Sequence, residues 1–125
     1  MAMKRLLALL FCVTLSSCVS TTPSPTPSGL PACEGLPREA WDTVERIEAG
    51  GPFPYPANDD KRFGNYERNL PEASRNYYRE YTVDTPGVNH RGARRIVTGG
   101  GPDDPVDEWF YTDDHYESFC EMEVN

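Results

Sequence analysis

Apolar residues follow three rhythms along this chain. Leu6–Leu15 is an apolar run (LLALLFCVTL) behind the cations Lys4 and Arg5. From Pro37 to Ala49, residues Ala40, Trp41, Val44 and Ile47 recur at helical spacing. Proline suits the first turn there, and Gly50-Gly51 follows as a stop. Trp41 is read as a core residue of that helix. Past a proline-rich turn segment (residues 51–60), aromatic and β-branched runs predict strands over Asn76–Val83, Arg94–Thr98, Trp109–Thr112 and Tyr116–Cys120. Gly, Pro, Asn and Asp clusters separate these runs. One N-terminal helix followed by short strands predicts an α+β domain with an antiparallel β-sheet. The helix covers one sheet face and the other is left for a ligand.

The first run does not belong to that domain. A basic start, an apolar stretch too short for a membrane span and the small residues Ser16, Ser17 and Cys18 read as an export signal over residues 1–18. Leu15-Ser16-Ser17-Cys18 also resembles a bacterial lipobox, which would make Cys18 a lipidation site; cleavage without acylation is the alternative. The Ser/Thr/Pro-rich stretch 19–32 then reads as a semi-extended tether, because alternating prolines favour polyproline II. The domain proper is expected over residues 33–125, outside the cell, either secreted or lipid-anchored to the outer face of the membrane.

Charge narrows the options. Without Lys4 and Arg5, ten cations stand against twenty acids, which argues against binding nucleic acid by bulk attraction. Of four cysteines, Cys12 and Cys18 fall in the leader. Cys33 and Cys120 remain near the domain's ends, and in an oxidising compartment they read as a disulfide. Two histidines and two well-separated cysteines do not suggest a metal site, and no cofactor is expected.

Candidate chemistry comes from strand geometry. Tyr78, Glu80 and Thr82 share one face of the predicted strand. Arg91 and Arg95 share another if the chain is extended between them, roughly 13 Å apart, within reach of one phosphate for long guanidinium arms. Spacing alone equally allows a solvated edge that neutralises nearby acids.

An ordered set of motifs carries a resemblance. They are Gly51–Tyr55, Phe63-Gly64-Asn65-Tyr66-Glu67, Leu70-Pro71, Tyr77–Val83, Thr85-Pro86-Gly87, Arg91–Ile96, Thr98-Gly99 and Asp114-His115-Tyr116. From Leu36 onward the chain resembles the microbial guanyl-specific ribonucleases, the family containing barnase and the small secreted actinobacterial enzymes. The resemblance implies Glu80 as general base, His115 as general acid, and Arg91 and Arg95 as the phosphate-binding pair. It further implies Glu67 as the carboxylate that accepts from the guanine edge, with Asn65 in the loop whose backbone reads the same base. Phe63 matches that loop's aromatic, and Tyr116 lines the site. The implied reaction is transesterification of single-stranded RNA 3′ of guanosine to a 2′,3′-cyclic phosphate, then slow hydrolysis. The alternative is a non-catalytic nucleotide- or protein-binding module of the same fold.

Three departures from the family pattern stand out. Tyr66 occupies a position where bacterial relatives often carry arginine, and reads as a base-stacking lid. The loop from Gly99 to Glu108 is longer and more acidic, which suggests a narrowed cleft. Cys120 lies earlier than the actinobacterial C-terminal cysteine. The expected partners are RNA and, for a toxic enzyme, a barstar-like protein inhibitor. The domain itself is expected to be a monomer.

Overall fold

The structure, a computed structural model, describes residues 12–19, 24–101 and 105–125. The leader residues 1–11, the tether residues 20–23 and the tip of the acidic loop, 102–104, lie outside the described residues. The described residues form helix α1 (Arg38–Glu48) and strands β1 (Lys61–Arg62), β2 (Tyr78–Thr82), β3 (Arg95–Gly99), β4 (Glu108–Thr112) and β5 (Cys120–Glu121). The strands make one antiparallel sheet in chain order.

The apolar stripe of α1 buries Ala40, Val44 and Ile47, as its spacing predicts. Trp41 departs from expectation: it stands 41% exposed, because one position round from Ala40 the helix face has already turned from the sheet. The helix ends at the glycines, where the Gly50 and Gly51 N–H groups donate to the Ile47 and Arg46 carbonyls.

Alternation in the strands sorts residues onto two faces. Tyr81, Val83, Ile96, Trp109 and Tyr111 meet the helix in one core. The opposite face is not bare, as the sequence led us to expect. Tyr78, Val97 and Phe110 form a second core there with Leu70 and Phe119, backed by Phe63 and Tyr116. Loops therefore cover part of that face, and the remainder holds the polar residues Glu80, half-buried, and Thr82 and Arg95, both buried.

The predicted strand Tyr116–Cys120 is mostly turn, and only Cys120–Glu121 pairs with β4. Positive φ at His115 (55°) and Tyr116 (73°) breaks the extended path. Strand β1 carries no signal in the sequence. Its two exposed residues pair with Glu80 and Arg79 through backbone alone.

The ends of the domain are tied together. Cys33 and Cys120, 87 residues apart, form a disulfide. Beside it the inner end of the Ser/Thr/Pro stretch runs along β5: the Glu121 N–H donates to the Pro31 carbonyl (2.8 Å) and the Ser28 N–H to the Glu121 carboxylate (3.1 Å).

Candidate active site

A cleft of about 320 Å³ opens on the polar part of the second sheet face, lined by Phe63, Asn65, Tyr66, Glu67, Glu80, His115 and Tyr116 among others. Every sequence-predicted site residue except the two arginines is in its lining.

The end of the cleft that holds the candidate base and acid is built on β2, β3 and the β4–β5 turn. Glu80 projects from the middle of β2, and the Tyr116 hydroxyl donates a hydrogen bond to its carboxylate. Burial, then this bond and the nearby Glu80 charge, push the Tyr116 phenol well above its ordinary value, so it stays a neutral donor at working pH. Its ring stacks on Phe63 with centroids 4.8 Å apart, which fixes the hydroxyl's direction.

His115 is exposed on the β4–β5 turn. The turn holds two consecutive non-glycine residues in the left-handed region, an arrangement that costs about 1 kcal/mol or more per residue. It is held from inside: Asp114 accepts from the Thr112 hydroxyl (2.8 Å) and the Ser118 N–H (2.9 Å), and the Tyr116 N–H donates to Thr112 Oγ1 (3.2 Å). The His115 N–H is tied to the Ala93 carbonyl (3.1 Å), linking the turn to the approach to β3.

The arginines arrive by a route the sequence did not reveal. The chain is not extended from Arg91 to Arg95. Gly92 turns it at φ 65°, and a Cβ there would meet Thr85 Oγ1 at 2.5 Å. The turn brings the Arg91 guanidinium to Thr82, whose strand neighbour is Arg95. Arg95 faces Thr82 across the β2–β3 ladder, and Arg91 donates to Thr82 Oγ1 through Nε (3.1 Å) and Nη2 (2.9 Å). The Thr82 hydroxyl donates in turn to Asp59 Oδ1 (2.7 Å), which also accepts the Thr82 N–H (2.7 Å).

Asp59 is 2% exposed. It thus places a carboxylate beneath the cation, with one hydroxyl between. Arg91 also lies over the Tyr55 ring, 5.8 Å from its centroid. Arg95 is buried. Its Nη1 donates to the Gly92 (3.0 Å) and Arg94 (2.7 Å) carbonyls, and its Nε has no partner among the described residues.

The opposite end of the cleft is the loop 63–70, closed on itself by one side chain. Asn65 donates to the Leu70 carbonyl (2.9 Å) and accepts the Leu70 N–H (3.1 Å). Asn69 ties the loop to the catalytic turn through the Tyr116 carbonyl (2.9 Å). Glu67 is exposed at the loop's crest. Tyr66 is 84% exposed, with its ring lying against Gly64 and its hydroxyl accepting from Arg62 (3.3 Å).

Asp59, Thr82, Asn69 and Asp114 hold the candidate site residues in place, and sequence reasoning did not single them out. The one available signal was Thr82 sharing a face with Glu80. The acidic loop departs from expectation, since none of its described residues lines the cleft. Gly101 and Asp107 fold back instead on Tyr77 and Gly99 at the far end of β3.

Residues 29–123 match the ribonuclease family profile. The chain is 56% identical over 90 residues to guanyl-specific ribonuclease St of Saccharopolyspora erythraea, covering 72% of this chain and 83% of that one. It is 48% identical over 92 residues to guanyl-specific ribonuclease Sa of Kitasatospora aureofaciens, covering 74% and 91%. Among solved structures it resembles ribonuclease Sa2 in complexes with mononucleotides, with a TM-score of 0.64, 44% identity, and coverage of 71% and 86%.

Proposed function

The chain belongs to the microbial guanyl-specific ribonuclease family, and from that premise we propose that it is an exported endoribonuclease cutting single-stranded RNA on the 3′ side of guanosine. One observation supports this most: Glu80 and His115 line the same cleft as Glu67, so a base held at one end presents its 3′-phosphate at the other.

In this reading Glu80 takes the proton of the guanosine 2′-hydroxyl, and the oxygen attacks the adjacent phosphorus. His115 protonates the departing 5′-oxygen, leaving a 2′,3′-cyclic phosphate that the same pair hydrolyses slowly with water. Arg91 and Arg95 hold the phosphate as charge shifts between its oxygens, a role suited to guanidinium forks already oriented by protein. Arg95 enters with its orientation fixed, because its Nη1 donates to the Gly92 and Arg94 carbonyls. Tyr116 holds Glu80 in line while stacking on Phe63.

At the other end Glu67 accepts N1–H and N2–H of guanine. Adenine offers no such donor pair and leaves the carboxylate unpaired. Asn65 keeps the loop backbone in shape to read the base, and Tyr66 swings from its seat on Gly64 to stack over it. Splayed bases reach this cleft only in single strands.

The domain acts as a monomer outside the cell, exported by the leader 1–18 and, when Cys18 is acylated, held on the part of the tether 19–32 that precedes Ser28. Inside its own cytoplasm such an enzyme calls for a barstar-like inhibitor, acidic where it covers the arginines.

The test uses oxidised protein on the dinucleoside phosphates GpC, ApC and UpC. Rapid loss of GpC alone, giving guanosine 2′,3′-cyclic phosphate and slowed by at least about 10²-fold in both Glu80→Gln and His115→Ala, is expected. A folded, oxidised sample that cleaves none of the three is instead a non-catalytic binding module.

A further inference from the structure

A second groove of about 290 Å³ adjoins the cleft. The two share the wall Arg62–Tyr66, but the groove contains none of Glu80, His115 or Tyr116. Arg62, Arg68 and Arg75 line it against one acid, Glu72. The chain carries a formal net charge of −8 with only 12 cations in all, so three in one groove stand out from the acidic background. Among the described residues none of the three forms an ion pair.

Arg62 is partly committed: its Nε donates to the Arg75 carbonyl (2.6 Å) and its Nη1 to the Tyr66 hydroxyl. It therefore acts as a strut between the base-reading loop and the segment 72–75. Arg68 and Arg75 have exposed guanidinium groups and no side-chain hydrogen bond among the described residues. Nothing in folding requires that concentration of positive charge; a polyanion does.

Chain polarity identifies which part of the polyanion. A guanosine on Glu67 must send its 3′-phosphate toward Glu80 and His115, and the nucleotide after the cut continues that way. The groove lies across the shared wall Arg62–Tyr66 from the end that holds Glu80 and His115, which leaves it to the 5′ portion of the strand. We propose that the groove is an upstream subsite in which Arg68 and Arg75, braced by Arg62, hold the phosphate on the 5′ side of the guanosine. The inference rests on the guanyl-ribonuclease reading and adds a preference for guanosines inside a strand over those at its 5′ end.

The experiment compares GpC with ApGpC, which adds one 5′ phosphodiester, using the oxidised full chain and an Arg68→Gln/Arg75→Gln double variant. Glutamine keeps the stems and removes both charges without disturbing the backbone carbonyl that Arg62 uses. Wild type is expected to favour ApGpC in kcat/KM by about 3–10-fold, the scale of one or two exposed ion pairs. The double variant should lose that factor while its GpC cleavage stays within about twofold.

Binding of the same two oligonucleotides built with 2′-deoxyguanosine, which cannot be cut, gives a second readout. The affinity gain from the 5′ extension should fall with added salt in wild type and vanish in the double variant. Equal handling of both lengths by wild type, or equal loss on both in the variant, overturns the subsite. Absence of GpC cleavage overturns the enzymatic reading, and the deoxy pair then still decides whether the groove binds the 5′ phosphate.

Discussion

Tyr116 shows how one residue in this site serves two ends of the cleft. Its ring continues the stack begun by Phe63, and its hydroxyl reaches Glu80. The two functions separate in Tyr116→Phe, which keeps the ring and leaves one carboxylate oxygen without its neutral donor. A hydrogen bond to a charged group contributes about 1.5–3 kcal/mol, so kcat on GpC should fall roughly 10- to 100-fold while KM changes little. A rise in KM with kcat preserved would instead assign Tyr116 to base binding. Glu67 offers the complementary test at the far end. Glu67→Gln places an amide donor against a guanine donor, and the ratio of GpC to ApC cleavage should collapse by about 10²-fold or more. Steady-state kinetics on the two dinucleotides measures it. These residues were legible because the motifs containing them come in family order. Asn69, which bonds the Tyr116 carbonyl, and Asp59, which holds Thr82 beneath Arg91, were not, because they act across loops that no periodicity connects.

At the scale of elements, the β4–β5 turn depends on a carboxylate. Burial raises the Asp114 pKa somewhat, but hydrogen bonds from Ser118 and Thr112 outweigh it and hold the group below its ordinary 3.8. A depressed folded-state pKa means the stabilisation is present above that ordinary value and is lost as pH falls through the lower, folded one. The turn that carries His115 should therefore stay ordered through mild acid and loosen only below about pH 4. Amide exchange at Ser118 followed by NMR should show protection falling there first. In Asp114→Ala the same protection should be missing at neutral pH and kcat reduced several-fold; unchanged exchange in that variant would remove Asp114 from the role.

The same turn explains why a strand was expected over Tyr116–Cys120. Aromatic density signals burial, and Tyr116 and Phe119 do enter the second core. They enter from a turn and not a ladder, because that core is roofed by loops. The helix and the three central strands were legible because each buries a repeating face. Lys61–Arg62 was not, since a two-residue edge strand is held by backbone and leaves no pattern in its side chains.

For the molecule as a whole, both closure and charge decide how it works. The Cys33–Cys120 disulfide spans nearly the entire domain, and chain entropy gives a loop of that length about 4–5 kcal/mol. A Cys33→Ala/Cys120→Ala protein should melt roughly 15–30 °C lower by calorimetry. An undisturbed Tm would mean that packing of residues 28–32 along β5 already closes the domain. Reduction of that bond should thus leave a weakened fold. Net charge acts in the other direction. Twenty acids against ten cations in the domain repel RNA at long range, so attraction must come from the few arginines along the cleft and its neighbouring groove. Those contacts displace few counterions: two or three phosphates at about 0.7 each predict a logarithmic salt slope near −1.5 to −2 for kcat/KM on single-stranded RNA. Repulsion from the acidic body weakens with added salt and flattens the slope further. A steep slope, near −4 or beyond, would require a wider cationic track than this surface provides. A shallow one would identify an enzyme that meets its substrate locally, cuts at guanosine and lets go.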